Sequence, residues 1–316
     1  MNDLLCTDNP DLPDHLKGGM TVIGNFDGVH RGHQMILSEA RNKADHLGIP
    51  LTVLTFEPHP RRFFRPDDEP FRLMTLAQKQ AALAEQGVDG VIALPFNKTL
   101  SQLSPQSFID GILVNGLGVK HVGVGADFRF GYKRAGSVKT LSEAGKTKGF
   151  DLTVFDMVTD QSGQILSSTA VRDALRRGDL DTARYILTKP WSINGKVIHG
   201  DKRGREMGYP TANMRMKEYL HPAHGVYAAR VTLPGGEVKP AAAHFGVRPM
   251  FDGYEPLLEA YIFAYSGDLY DRTITVDLID FIRPEVKFAT VDHLKDQMAD
   301  DIKIIAKQLQ VSRSQA

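Results

Sequence analysis

Two histidines stand three residues apart in the stretch GNFDGVHRGH, residues 24 to 33, which leads from an apolar segment into a helical pattern. Gly24, Gly28 and Gly32 punctuate it. Glycines at such a turn let the backbone approach a ligand closely, and a helix beginning near Arg31 aims its unpaired N–H groups and the positive end of its dipole at the same point. That combination suits a phosphate. His30 and His33 add donors for the charge that develops when a phosphorus centre is attacked, which is electrostatic rather than nucleophilic catalysis. The plainer alternative makes either histidine a helix cap or a partly buried polar residue. A metal site is the weaker reading: HxxH offers two ligands with no cysteine nearby, although folding could bring His59 close.

A second constellation lies in GKVIHGDKRGREMGYPTANM, residues 195 to 214. Gly200, Gly204 and Gly208 permit tight backbone approach, and Lys202, Arg203 and Arg205 could meet phosphates. Thr211 and Asn213 are hard oxygen ligands suited to Mg²⁺. A solvated, charged hairpin is the alternative for this loop.

These groups need elements to position them. MTVIGNF, LTVLTF, GVIALPF, HVGVGADF and DLTVFDMV read as buried strands, each followed by a helical pattern. The first helix carries Ile36, Ala40, Ala44 and Leu47 on one face; the others span Leu76 to Gln86 with Thr75 as cap, open at Ser104 with Pro105 in first position, or follow Ser137. Successive β-then-α units predict an α/β domain with a parallel sheet covered by helices, whose ligands bind at the carboxyl ends of the strands. The histidine motif sits at one such end. STAVRDALRRGDLDTARYIL reads as two short helices separated at Gly178. From Trp191 the pattern changes to short β-rich stretches such as INGKVIHG, GVYAARVTL, LLEAYIFAY and RTITVDLIDFI, closed by a helix with Leu294, Met298, Ile302 and Ile305 on one face. We therefore expect domains over 1–187 and 188–316.

Composition narrows the function classes. The chain has 316 residues, long enough for two cores. Lys plus Arg and Asp plus Glu both number 38, so no basic field is available for nucleic acid or an anionic membrane. Cys6 is the only cysteine and excludes an intramolecular disulfide. No apolar run approaches the roughly 18 residues that span a bilayer, and nothing at the N-terminus resembles a signal core, so a soluble cytoplasmic protein is expected.

GNFDGVHRGH resembles the H-x-G-H motif of the nucleotidyltransferase superfamily, and in particular the flavin adenylyltransferase domain of bacterial bifunctional riboflavin kinase/FAD synthetases. FEPHPRRFF at 56–64, GVGADFRFGYKRAG at 123–136 and LSSTAVRDAL at 166–175 are similar to that family in order. The resemblance implies a Rossmann-like domain that converts FMN and ATP to FAD and pyrophosphate, with the FMN phosphate as nucleophile. It implies that Gly24, Asn25, Phe26, Gly28, His30 and His33 hold the phosphates of ATP, and that Ser167, Ser168, Thr169 and Arg172 add donors. Asp127, Phe128 and Phe130 look like the flavin-side wall, although each aromatic taken alone is more often core than ligand, and His59 would line the adenine end. Glu57 stands where the family more often has Asp.

Residues 187 to 316 resemble the riboflavin kinase domain of the same family. GYPTANM is the most specific motif, followed in order by HGVYAARV, GVRPMF, LLEAYIF, GDLY and IRPEVKF. The resemblance implies a small antiparallel β-barrel with a C-terminal helix that converts riboflavin and Mg-ATP to FMN and ADP. In it the Gly200–Gly208 loop binds ATP, Thr211 and Asn213 hold the metal, and Glu259 is the base. A lone Glu in an apolar strand would be costly without such a task, unless the strand alternates and turns it to solvent. Three positions depart from the family: His244, in the stretch HFG, stands where an Asn is common, Met250 where a Thr is common, and Asp271 where a Gly is common. The leading expectation is a bifunctional FAD-forming enzyme. An adenylyltransferase with an impaired kinase half, or a flavin-binding module without chemistry, are the alternatives; a reductase is disfavoured because no G-x-G-x-x-G turn follows any predicted strand.

Overall fold

A computed structural model describes residues 3–5, 12–200, 208–250 and 253–311, with side chains over 12–200, 208–246 and 256–311. The chain divides into two compact units: residues 1–68 with 76–167, and residues 69–75 with 168–316.

The first unit is built on β1 (Asp3–Leu5), β2 (Met20–Ile23), β3 (Leu51–Glu57), β4 (Gly90–Pro95), β5 (His121–Gly125) and β8 (Asp151–Phe155). They form one sheet in the order β1-β4-β3-β2-β5-β8, and every neighbouring pair is parallel. The strands β2, β3 and β4 are buried almost continuously rather than alternately, because helices cover both faces. The chain builds outward from β2 through β3 to β4, then returns to place β5 and β8 on the other flank of β2. That reversal opens a crevice beyond the carboxyl ends of β2 and β5, the usual ligand position in such sheets. A short antiparallel ribbon, β6 (Arg129–Phe130) with β7 (Gly136–Ser137), follows β5.

Helix α1 (Arg31–Leu47) buries Gly32, Leu37, Ala40 and Ala44 and stops at Gly48, whose φ of 65° suits glycine. Its inward face is rotated from the expected one: Leu37 is buried, whereas Leu47 at the last turn is 45% exposed. The short α2 (Pro60–Phe64) follows β3; α3 (Leu76–Glu85) and α4 (Lys98–Ser101) flank β4. At α5 (Pro105–Ser107) the Ser104 side chain accepts the N–H of Ser107 as expected, and the chain continues in π-helical geometry over Phe108–Gly116. Ser137 caps α6 (Val138–Lys148) in a reciprocal box with Thr140.

In the second unit α7 (Ser168–Arg176) and α8 (Leu180–Leu187) are separated at Gly178, which has φ 75° and lies so close to Phe281 that a Cβ there would meet the ring at 2.9 Å. Six strands follow: β9 (Trp191–Lys196), β10 (Thr211–Arg215), β11 (Gly225–Thr232), β12 (Val238–Met250), β13 (Gly253–Ile262) and β14 (Thr273–Pro284). They pair antiparallel in the order β10-β13-β12-β11-β14-β9. The sheet curls until its edges meet, since Ile198 beyond β9 donates its N–H to the carbonyl of Asn213 in β10 at 2.8 Å. This is the expected barrel-like sheet, and α9 (Val291–Gln308) closes the unit. Arg283 holds α9 to β14 through a forked pair with the buried Asp301, at 2.7 to 3.1 Å. Contacts group α7 and α8, together with residues 69–75, with this sheet.

Candidate functional sites

The turn from Gly24 to His30 leaves the end of β2 in a conformation that few side chains adopt. Phe26 and Val29 have φ of 48° and 39°, and Gly28 has φ 92°. Non-glycine residues in this region are strained and persist where the surroundings hold them. Here the Gly24 N–H donates to Leu54 O at 3.0 Å, the Thr55 hydroxyl to Asn25 O at 3.2 Å, and the Gln34 side chain to Val29 O at 2.9 Å. Lys79 of α3, only 4% exposed, donates to Thr55 Oγ1 at 3.2 Å and so supports the same turn from below. Gly32 is obligatory for a different reason: a Cβ there would stand 2.7 Å from Leu166 O and 3.2 Å from the His30 ring.

His30 is the N-cap of α1, its Nδ1 accepting the backbone N–H of His33 at 3.4 Å. The capping alternative is therefore realised for this residue, and it fixes the chemistry of the ring. With Nδ1 an acceptor, the proton of the neutral imidazole belongs on Nε2. The His30 and His33 rings stack with centroids 3.6 Å apart, and Phe26 packs at 4.9 Å against His33. The result is a pair of ring donors fixed at a helix N-terminus, at the reversal point of a parallel sheet.

The carboxyl end of β5 opens onto the same crevice and carries Asp127 and Phe128. Asp127 is exposed and Phe128 half-buried, but Phe130 is 6% exposed and packs with Phe108 in the core. Phe128 stacks on Phe130, with ring centroids 5.5 Å apart, and of the two it is the more exposed. Sequence reasoning passed over a second aromatic group: Phe63 and Phe64 of α2 and Phe56 of β3 gather around Phe96 at 5.4 to 5.9 Å, with Phe64 63% exposed. The RRFF within FEPHPRRFF was the available signal. His59 caps α2, its Nδ1 accepting the Arg61 N–H at 3.1 Å. Among the described residues no group of three or more His, Cys, Asp or Glu is placed to hold a metal, so the HxxH motif with His59 makes no such centre.

Ser168, Thr169 and Arg172 open α7 in the second unit. There Arg172 donates through Nε to Phe71 O at 2.8 Å and lies over the Phe71 ring at 5.2 Å.

In the sheet of the second unit, Asn213 and Glu259 are directly opposed on β10 and β13. Asn213 is 5% exposed; its Nδ2 donates to Thr211 O at 3.1 Å, while its Oδ1 is buried with no hydrogen-bond partner among the described residues. A buried carbonyl oxygen left this way is suited to a cation. Gly200 presses against this amide, where a Cβ would stand 2.7 Å from Nδ2. Gly208 has φ 91°. Lys202, Gly204 and Arg205 lie outside the described residues. Glu259 is half-buried between Leu258 and Ala260, which are fully buried, so it is neither sealed in the core nor turned wholly to water. A cavity of about 520 Å³, a size suited to a nucleotide, is lined by Thr211, Val197, Ala260, Tyr265, Asp268 and Tyr270; Glu259 and Asn213 are not among its lining residues. Asp271 has φ 60°, in the left-handed region that glycine adopts most readily, and pairs with Lys196 at 3.0 Å. Phe245 is core, and the side chain of Met250 lies outside the described residues.

Residues 12–170 match the family described as FAD synthetase, and residues 187–309 match that described as riboflavin kinase. Proteins named bifunctional riboflavin kinase/FMN adenylyltransferase align over nearly the whole chain. The one from Pseudomonas fluorescens is 44% identical over 92% of each chain, and that from Haemophilus influenzae 42% over 91% of this chain and 93% of its own. A solved structure described as a macrolide-efflux protein from Streptococcus pneumoniae has a TM-score of 0.83 at 29% identity, covering 96% of this chain and 98% of that one. Among the described residues no helix is long and apolar enough to cross a membrane.

Proposed function

The chain belongs to the bifunctional riboflavin kinase/FMN adenylyltransferase family, and on that footing we propose which of its residues carry each reaction. The protein phosphorylates riboflavin with ATP to give FMN and ADP, then transfers the adenylyl group of a second ATP to FMN to give FAD and pyrophosphate.

In adenylyl transfer an oxygen of the FMN phosphate forms a bond to the α-phosphorus of ATP while the bond to pyrophosphate breaks. Charge accumulates on the oxygens around that phosphorus and on the leaving group. The stacked His30/His33 pair is the observation that carries the assignment, because it offers fixed donors and a helix N-terminus where that charge develops. The strained Gly24–Gly28 turn, with Asn25 and Phe26, is the phosphate cradle. Asp127, Phe128 and Phe130, with the Phe63/Phe64/Phe96 group of which Phe64 is exposed, are the flavin contacts we assign, since aromatic faces stack on an isoalloxazine. Ser168, Thr169 and Arg172 add phosphate donors, and His59 lines the adenine end.

In the kinase reaction Glu259 takes the proton of the terminal ribityl hydroxyl as that oxygen attacks the γ-phosphorus and ADP leaves. The cavity bounded by Thr211 receives the nucleotide, with Gly200, Lys202, Gly204, Arg205 and Gly208 along its phosphates. Asn213 Oδ1 and Thr211 are the side chains that would hold Mg²⁺. When bound, the ion neutralises charge on the phosphates of ATP. With 38 basic and 38 acidic residues, we assign small-molecule substrates rather than nucleic acid, and a cytoplasmic site of action.

The assignment of the first site is tested by supplying FMN and ATP to purified protein and measuring FAD and pyrophosphate. Equal yields of the two are expected, and a His33→Ala protein should form neither at an appreciable rate. Undiminished FAD formation by that variant would overturn the histidine assignment.

A further inference from the structure

His244 departs from its family and has no part in the scheme above. It lies on β12 directly opposite Glu259 of β13, which in turn lies opposite Asn213 of β10. Directly opposed residues of antiparallel strands share a face of the sheet. Asn213, Glu259 and His244 thus form one row across three strands, with the carboxylate between an amide and an imidazole. The imidazole lies over Gly246, where a Cβ would come within 2.6 Å of its Cε1, so the glycine makes room for this ring position. Its Nε2 is 3.9 Å from Glu285 Oε1, and His224 Nδ1 is 3.8 Å from the other oxygen of the same carboxylate.

We propose that His244 is a positioning residue for Glu259 in riboflavin phosphorylation, and that a proton on its ring withdraws the Glu259 carboxylate from the ribityl hydroxyl. The proposal rests on Glu259 being the kinase base. A neutral imidazole orients the carboxylate without competing for its charge. An imidazolium beside it forms an ion pair, and the substrate hydroxyl must displace that pair before it can deliver its proton. The charged and titratable groups that face His244 are Glu259 from β13, Arg283 and Glu285 at the end of β14, and His224 ahead of β11. Although 39% of the side chain is exposed, loss of water around the ring is the largest influence and favours the neutral form; Glu259 and Glu285 oppose it, and Arg283 and His224 assist it. Ring protonation therefore falls below the ordinary imidazole value of about 6.5.

The test is the kcat of FMN formation by the full chain, at saturating riboflavin and Mg-ATP, from pH 5.5 to 7.5. Wild type is compared with His244→Asn and His224→Asn, with His244→Gln in place of the former should it fail to fold. Substrate ionisation is common to all of them and cancels in the comparison. The ratio of kcat at pH 7.5 to that at pH 5.5 should be about three- to tenfold larger in wild type than in His244→Asn, and His224→Asn should retain the wild-type ratio. An equal ratio in wild type and His244→Asn, or loss of the acid limb in His224→Asn instead, would overturn the proposal. Glu259→Gln separates the two layers: full turnover at pH 7.5 in that protein removes the base assignment itself, whereas a large loss there with an unaltered pH ratio in His244→Asn removes only the role of His244.

Discussion

His30 has two jobs that substitution can separate. As N-cap it supplies an acceptor for the His33 N–H, and as a ring donor it supplies Nε2–H. Asparagine is among the best N-cap residues, so His30→Asn keeps the cap and removes the imidazole. FAD formation from FMN should fall on the order of 10² to 10³ in that variant, with the melting temperature nearly unchanged. His30→Ala should lose about 1 kcal/mol of stability in addition, read as a lower melting temperature. Activity retained in the Asn variant would leave His30 as a cap alone. In the kinase half, Glu259→Gln keeps shape and hydrogen bonding but removes the base, so kcat for riboflavin should fall by roughly 10² to 10⁴ while riboflavin binding, measured by fluorescence titration, persists. A loss of binding with kcat intact would make Glu259 a substrate contact. These residues were legible because their type and spacing are local properties. Phe130 was legible only as a motif member; that it fills the core beside Phe108 depends on packing that no short stretch encodes.

Among the elements, β2 and α1 could be read directly, since a continuous apolar run meets a glycine-rich turn and a capped amphipathic pattern. Strand β12 could not. Its segment carries Pro240, Pro249 and three successive alanines, residues of low strand preference, and it is a strand because β11 and β13 pair with it on both sides. The amino end of β5 carries a testable feature of the opposite kind, a polar group in an apolar place. His121 is 3% exposed, and its Nε2 meets Thr153 Oγ1 at 2.7 Å, while Lys43 donates to that same oxygen at 2.8 Å. The threonine oxygen thus accepts from Lys43 and shares a hydrogen bond with the ring whose direction follows the imidazole tautomer. Burial, with the Lys43 charge assisting and Asp151 opposing, holds the His121 ring below its ordinary value. Above about pH 6.5 neither folded nor unfolded chain protonates this residue, so it contributes no pH dependence there. As pH falls through that value the unfolded chain gains a proton that the folded chain does not, and stability declines until the folded value is reached. Urea unfolding of wild type and His121→Gln at pH 7.5 and 5.5 should show a smaller acid loss in the variant; equal losses would contradict the assignment.

For the whole molecule, contacts place α7 and α8 in the second unit, where Ala223 donates to Leu175 O at 3.0 Å and the Trp191 indole to Leu73 O at 2.7 Å. A fragment of residues 168–316 should therefore melt higher than one of residues 188–316, by calorimetry, because the shorter piece lacks Leu175, Ala183 and Ile186, which are fully buried in the chain, and so exposes the apolar surface that they cover. Equal melting temperatures would mean that the helices contribute nothing to the barrel. The change from α/β alternation to a β-rich pattern was readable near residue 190, but the partner of α7 and α8 was not, because amphipathic helices announce a buried face and not what buries it. The claim on which the rest depends is that one chain performs two consecutive reactions. Purified protein is incubated with riboflavin, ATP and Mg²⁺, and the flavins are separated chromatographically over time. The account predicts that FMN appears first and is then replaced by FAD, with riboflavin consumed throughout. Riboflavin left untouched, by protein that converts added FMN to FAD, would contradict it.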